Sequence, residues 1–174
     1  MADIHARMEV AEGDITQLDV EAIVNAANDR LAPGGGVCGA IHRAAGKELA
    51  DACRQIGSCP TGQARLTPGF NLKAKYVIHA VGPVWHGGGH REDALLADAY
   101  SHSLELAQRH KITSIAFPAI STGIYGYPLA RATGIAVHAV ADFLRVNELP
   151  GRVIFACFGS DVAAAYRGAL AGLR

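Results

Sequence analysis

The chain has 174 residues, half of them hydrophobic and 18% charged, which fits one domain (residues 1–174) around one core and is too apolar for disorder. Its 16 basic and 16 acidic side chains cancel, so no basic surplus advertises nucleic acid or an anionic membrane. No apolar run approaches the ~20 residues that span a bilayer. The opening Met-Ala-Asp-Ile-His-Ala-Arg-Met-Glu lacks a signal peptide's apolar core, and a soluble cytoplasmic protein is expected.

In chain order, an amphipathic strand is expected over Ile4 to Val10, and a buried one over Ala22-Ile-Val-Asn25. Val37, Ile41, Ala44 and Ala45 mark a short helix that stops at Gly46. Glu48, Asp51 and Arg54 after it read as a solvated face. A strand around Gln63 to Thr67 precedes the apolar run Tyr76-Val-Ile-His-Ala-Val81. Leu96, Ala99, Tyr100, Ser103, Leu104 and Ala107 then repeat with helical spacing. Ile115-Ala-Phe-Pro118 is a third buried run, followed by a helical stripe through Leu129, Ala132, Ala136, Val140 and Phe143. Val153-Ile-Phe-Ala-Cys-Phe158 leads into a last helix through Val162, Ala165, Tyr166, Ala169, Leu170 and Leu173, with Ser160 or Asp161 as its cap. Short, continuous, β-branched runs alternating with helices describe an α/β protein with a mainly parallel or mixed sheet covered on both faces. Ligands of such folds collect at the carboxyl ends of the strands.

Two loops there carry chemistry. Asn25-Ala-Ala-Asn-Asp-Arg-Leu-Ala-Pro-Gly-Gly-Gly-Val-Cys-Gly39 joins a buried strand to a helix. Gly34, Gly35 and Gly36 open that helix, whose first amides have no internal partner, so they favour an anion such as phosphate. The second loop, Pro118-Ala-Ile-Ser-Thr-Gly-Ile-Tyr-Gly-Tyr-Pro128, offers hydroxyl and amide donors at Ser121, Thr122 and Gly123, and an aromatic ring at Tyr125. Neither Gly34–Gly39 nor Ser121–Gly126 holds a Lys or Arg, so a phosphate would be held by oriented dipoles. Gly34-x-Gly36-x-x-Gly39 does not read as a dinucleotide fingerprint, because Ala26 to Pro33 separate it from its strand.

The blocks Gly13-Asp-Ile-Thr16, Ala22-Ile-Val-Asn-Ala-Ala-Asn28, Gly34-Gly-Gly-Val37 with Gly39-Ala-Ile-His-Arg-Ala-Ala-Gly46, Val77-Ile-His-Ala-Val-Gly-Pro83 and Phe117-Pro-Ala-Ile-Ser-Thr-Gly-Ile-Tyr-Gly-Tyr-Pro128 together resemble a macrodomain. The resemblance is to the bacterial group that processes ADP-ribose and includes O-acetyl-ADP-ribose deacetylases. It implies a three-layer α/β/α fold with a mixed, largely parallel central sheet and a cleft for ADP-ribose. It also implies that Asp14 accepts the adenine amino group, Ile15 supplies a neighbouring amide and Phe158 packs near adenine. Gly34 to Val37 and Ser121 to Tyr125, Ile124 included, would clasp the diphosphate. Asn28 would address the distal ribose, with Tyr125 beside that sugar. Read from the residues alone, Asp14 also fits a turn cap, Asn28 an Asx-turn and Tyr125 a surface aromatic, each the lesser reading, while Phe158 fits the core equally well.

One position departs from the pattern. Hydrolytic relatives run the Gly-rich loop into Val-Asp-Gly, where the acid is thought to position or activate water; here Cys38 stands in its place. A thiol accepts hydrogen bonds weakly and is a poorer base than a carboxylate. The expected activity is therefore hydrolysis of ester-linked ADP-ribose, either O-acetyl-ADP-ribose or mono-ADP-ribose on acidic side chains of proteins, weakened at Cys38. The alternatives are a non-catalytic ADP-ribose reader, an ADP-ribose 1″-phosphate phosphatase and, last, a nicotinamide-dependent oxidoreductase. A Cys38–His42 nucleophile pair is a further possibility, since His42 is one helical turn on.

No cofactor and no metal are expected. His86 and His90 read as part of a mobile Gly-rich loop rather than as metal ligands. His79 and Cys157 read as core residues, and Cys53 and Cys59 as reduced thiols.

Overall fold

The apolar runs become the middle of one six-stranded sheet in a computed structural model that describes residues 3–173. The strands are β1 (Met8–Glu12), β2 (Ala22–Ala26), β3 (Ala64–Pro68), β4 (Tyr76–Ala80), β5 (Ser114–Phe117) and β6 (Arg152–Cys157), in the order β1-β6-β5-β2-β4-β3. Every pairing is parallel except β3 with β4. The helices are α1 (Gly36–Ala45), α2 (Lys47–Ile56), α3 (Glu92–Arg109), α4 (Leu129–Val146) and α5 (Ser160–Ala171).

Strand alternation sorts the side chains into two layers of core. Val24, Ile78, Ile115, Phe117 and Phe155 pack under α3, α4 and α5, with Leu96, Tyr100, Leu104, Val140 and Tyr166. Ile23, Val77, Ala116 and Ile154 point the other way, onto Ile41 and Ala45 of α1 and Leu49 and Cys53 of α2. The three-layer α/β/α arrangement thus follows from runs that are apolar at both parities.

Two local expectations need correction, and one expected face turns out to lie on a helix of its own. Ile4–Arg7 is a 3-10 turn capped by Asp3, and β1 begins only at Met8. Arg7 is buried there and donates to the carbonyls of Leu144, Asn147 and Pro150 at 2.9, 2.9 and 2.7 Å. Glu48, Asp51 and Arg54 do face solvent, but they belong to a second helix, because Gly46 (φ +91) ends α1 and starts α2. The cap of α5 is Gly159 (φ +126), with no side-chain bond; Ser160 is already its first residue.

Candidate functional site

Five parallel strands end on the same side, and the loops that leave them enclose a cleft of about 850 Å³. Every site residue put forward from the sequence lines it: Asp14 and Ile15 after β1, Asn28 after β2, and Gly34, Gly35, Gly36, Val37 and Cys38 at the start of α1. Ser121, Thr122, Gly123, Ile124 and Tyr125 follow β5, and Phe158 follows β6. Among the described residues no helix is long and apolar enough to cross a membrane, and no group of three or more His, Cys, Asp or Glu is arranged to hold a metal ion.

The first loop is drawn tight onto its helix. Gly36 has φ +57, and a Cβ on Gly39 would lie 2.6 Å from the Gly34 carbonyl oxygen, closer than real side chains come. Asn28 braces the loop from within: its Oδ1 accepts from the amides of Arg30 (3.2 Å) and Ala32 (3.0 Å), and its Nδ2 donates to Ala32 O at 2.8 Å. One amide N–H of Asn28 remains beyond that bond.

The second loop carries a strained and unpaired hydroxyl. Ser121 sits at φ +70, is only 6% exposed, and its Oγ has no hydrogen-bond partner. A Cβ on Gly82 would lie 2.2 Å from that Oγ, so only glycine lets the loop lie against the end of β4. The Thr122 hydroxyl, expected as a donor to a ligand, is used inside the loop, on Ala119 O at 2.8 Å. The Tyr100 hydroxyl supports the start of the loop, accepting from Ile120 N and donating to Pro118 O, both at 3.3 Å. Burial, with Asp29 and Cys38 nearby, pushes the Tyr125 hydroxyl pKa up.

At the other end, Asp14 is exposed, and its Oδ1 accepts from Thr16 N (2.9 Å) and Thr16 Oγ1 (2.8 Å). It caps the turn Ile15–Gln17 and still lines the cleft, so the two readings of this residue are compatible. Phe158 is not core: it is 82% exposed at the cleft edge, and Ile124 is 92% exposed on the second loop. Arg43, missed from the sequence, also lines the cleft; Gly36, Ala40 and Arg43 follow helical spacing along α1, the signal that would have found it.

Cys38 is 6% exposed, and its thiol donates to Ala32 O at 3.8 Å. Both ring nitrogens of His42 lack a partner, so the Cys38–His42 pair is not formed; burial holds the His42 pKa down. The His86–His90 segment, expected as a mobile loop, is tied down: amides of His86, Gly88 and His90 donate to the Glu92 carboxylate at 2.9, 2.9 and 2.5 Å. Beside it the Trp85 ring lies 4.7 Å from that of Tyr127, with the Arg131 guanidinium 5.1 Å over the indole. Trp85 N donates to Tyr125 O at 2.9 Å, linking this cluster to the second loop.

A parallel sheet with a glycine-opened helix and a second donor loop over one cleft defines an α/β domain built to hold an anionic ligand on main-chain groups. The family model described as Macro domain matches residues 24–136, and the chain belongs to that family. The O-acetyl-ADP-ribose deacetylase of Salmonella newport is 56% identical over 165 residues, covering 92% of this chain and 92% of the relative. A Macro domain-containing protein of Methanosarcina mazei is 55% identical over 164 residues, covering 94% and 88%. Among solved structures, the Oceanobacillus iheyensis macrodomain with MES bound superposes with a TM-score of 0.90 at 41% identity, covering 93% of this chain and 89% of that one. The Trypanosoma brucei macrodomain in complex with ADP-ribose gives 0.88 at 42% identity, covering 93% and 68%.

Proposed function

We propose that this chain, read as one macrodomain over residues 1–174, binds ADP-ribose and hydrolyses ester links at its distal ribose. The substrates are O-acetyl-ADP-ribose or mono-ADP-ribose on acidic side chains of proteins. The single observation that carries the reading is Ser121 Oγ: a buried hydroxyl with no protein partner, on a strained backbone at the cleft floor. A buried polar group left unpaired is costly, and a phosphate oxygen at this point removes that cost.

The remaining roles follow from position along the cleft. Gly34, Gly35, Gly36 and Val37 offer the amides of a helix start to the diphosphate, as do Ser121, Thr122, Gly123 and Ile124 from the second loop. Asp14, whose Oδ1 is engaged, accepts the adenine amino group through Oδ2, with the Ile15 amide beside it. Phe158 lies against the base. Asn28 gives its remaining N–H to the distal ribose, and Tyr125 packs on that sugar. Cys38 stands where water must be oriented for attack on the ester carbonyl; a thiol does this poorly, so turnover is slow. Four free cysteines, all buried, are consistent with a cytoplasmic location.

Calorimetric titration with ADP-ribose, ADP and NAD tests the binding; saturable heat with ADP-ribose is expected, and its absence at millimolar concentration overturns the reading. A product assay on O-acetyl-ADP-ribose and on ester-modified protein follows. Release of acetate or free ADP-ribose marks the enzyme. Tight binding with no release marks a reader, the second reading, which the replacement at Cys38 favours.

A further inference from the structure

Behind the cleft floor a line of buried polar groups crosses the sheet and ends on Cys38. Asn25 in β2 and His79 in β4 are register neighbours in the parallel pair. They share strand parity with Ile23 and Val77, so they face the layer formed by α1 and α2. Asn25 is 1% exposed and His79 is 0%. Asn25 Nδ2 lies 3.1 Å from His79 Nδ1 and donates to Cys38 Sγ at 3.7 Å. His79 Nε2 lies 2.9 Å from Thr67 Oγ1 and 3.7 Å from Cys53 Sγ.

These contacts carry a direction. With an amide N–H against it, His79 Nδ1 accepts, so the ring proton sits on Nε2 and is donated to Thr67 Oγ1. Burial, helped by nearby His42, pushes the His79 pKa down to about 3, so the ring is neutral at physiological pH. The converse, with Nδ1–H donated to the Asn25 oxygen and Thr67 Oγ1 donating to Nε2, is also paired but offers Cys38 no N–H; the structure instead sets Asn25 against Nδ1 through its amide nitrogen. Its second N–H is thereby left on Cys38, and its Oδ1 goes without a partner. An apolar residue like its neighbours Ile23 and Val24 would fill the place without that cost.

We propose that Thr67, His79 and Asn25 form a positioning chain that aims an amide N–H at the side chain of residue 38, setting its orientation and reactivity at the cleft floor. The role in turnover rests on the functional reading above; the geometry of the chain does not. The other groups near Cys38 are Tyr125 from the second loop, Cys53 from α2, and His42 one turn along α1. An aimed N–H suits an anion better than a thiol, so a carboxylate at position 38 draws more from the chain than Cys38 does.

Three measurements test this. In the wild-type protein, long-range proton–nitrogen spectra report which His79 nitrogen carries the proton; Nε2 is expected, and Nδ1 overturns the chain. Alkylation by iodoacetamide near neutral pH, quantified at Cys38 by peptide mass spectrometry, reads the aimed N–H without any substrate. Burial pushes Cys53 and Cys157 up to about 11 and Cys59 up as well, and the peptide readout counts Cys38, which lines the cleft, apart from them.

His79→Leu removes the acceptor that fixes the amide and slows labelling about threefold or more, because a donor on sulfur favours its reacting anion. His79→Gln, which keeps an acceptor, retains the wild-type rate. An unchanged rate in His79→Leu, or equal slowing in both variants, overturns the proposal. Should His79→Leu not fold, Thr67→Val takes its place, because it frees the ring tautomer; an unchanged rate there also overturns the chain. Last, Cys38→Asp is compared with Cys38→Asp/His79→Leu, or with Cys38→Asp/Thr67→Val. Loss of kcat at unchanged KM is expected, and equal kcat overturns the role in turnover. Absence of ADP-ribose binding in every variant overturns the functional reading and leaves the spectra and labelling to judge the chain.

Discussion

Asn28 and Cys38 converge on one acceptor. The carbonyl oxygen of Ala32 takes the Asn28 amide at 2.8 Å and the Cys38 thiol at 3.8 Å. The residue expected to hold the distal ribose and the residue expected to act on water are therefore tied to the same point of the first loop. A carboxylate in place of Cys38 has no proton for that carbonyl, which would keep the Asn28 amide as its donor.

From this follows the first expectation. Cys38→Asp restores a carboxylate to a place already served by an Asn25 N–H. General-base assistance is typically worth ~10²–10⁴-fold, and a rise of about a hundredfold in kcat on O-acetyl-ADP-ribose is expected, with ADP-ribose affinity little changed. Steady-state kinetics and calorimetry on the same preparation check it. A kcat no higher than wild type removes position 38 from the account of slow turnover.

Gly82→Ala tests the seat of the second loop. The added methyl would meet Ser121 Oγ at 2.2 Å and Ile120 Cγ2 at 2.5 Å. Overpacking of this kind costs ~1–3 kcal/mol, and it falls on the hydroxyl proposed for phosphate. Urea unfolding should show the loss of stability and titration a weaker Kd for ADP-ribose. Retention of wild-type affinity would mean that Ser121 does not touch the ligand.

Phe158 separates binding from folding. It is exposed, so Phe158→Ala removes little from the core and leaves Tm nearly unchanged. Base–aromatic stacking is worth ~1–3 kcal/mol, so ADP-ribose binding should weaken about tenfold. Ribose 5-phosphate, which has no base, should bind both proteins equally. A matching loss for that ligand would place Phe158 away from adenine.

Acid should release the His86–His90 segment. Burial raises the Glu92 pKa, but amides of His86, Gly88, His90 and Glu92 itself outweigh it and hold it near about 2. An unfolded glutamate titrates near ~4.3. The stabilising bonds are thus complete above that value and fade as pH falls from there toward 2. Protection of the three amides, taken relative to their intrinsic exchange at each pH, should fall across that window in wild type. In Glu92→Gln they should exchange faster already at neutral pH, with little further change on acidification. Equal protection in both proteins at neutral pH would show that the carboxylate does not hold the loop.

Much of this architecture is legible in the residues. The apolar runs at 22–25, 76–80, 115–117 and 153–157 lie in strands because they are apolar at both parities, and a both-faced sheet leaves no other place for them. The cleft was legible as well, since ligand loops follow the carboxyl ends of such strands. What escaped notice depends on single backbone angles or on distant partners. Gly46 at φ +91 turns one helix into another, so a stop signal concealed the start of α2, although Leu49 and Cys53 carry the spacing. The turn at Ile4–Arg7 exists because Arg7 reaches carbonyls some 140 positions away. Phe158 is apolar and continues a strand, yet it falls one residue beyond the ladder and is left outside. Asn25 was visible as the one polar side chain in Ala22-Ile-Val-Asn25, but its meaning waited on the register that sets His79 beside it.

The chain contains one tryptophan. Trp85 packs at a tilt against Tyr127 under Arg131, and its main-chain N–H is bonded to Tyr125 at the cleft wall. A displacement of that wall on nucleotide binding would reach the surroundings of this indole through that bond. The molecule therefore carries an intrinsic fluorophore one main-chain bond behind its cleft, and a change of emission on titration with ADP-ribose is expected, with no label attached.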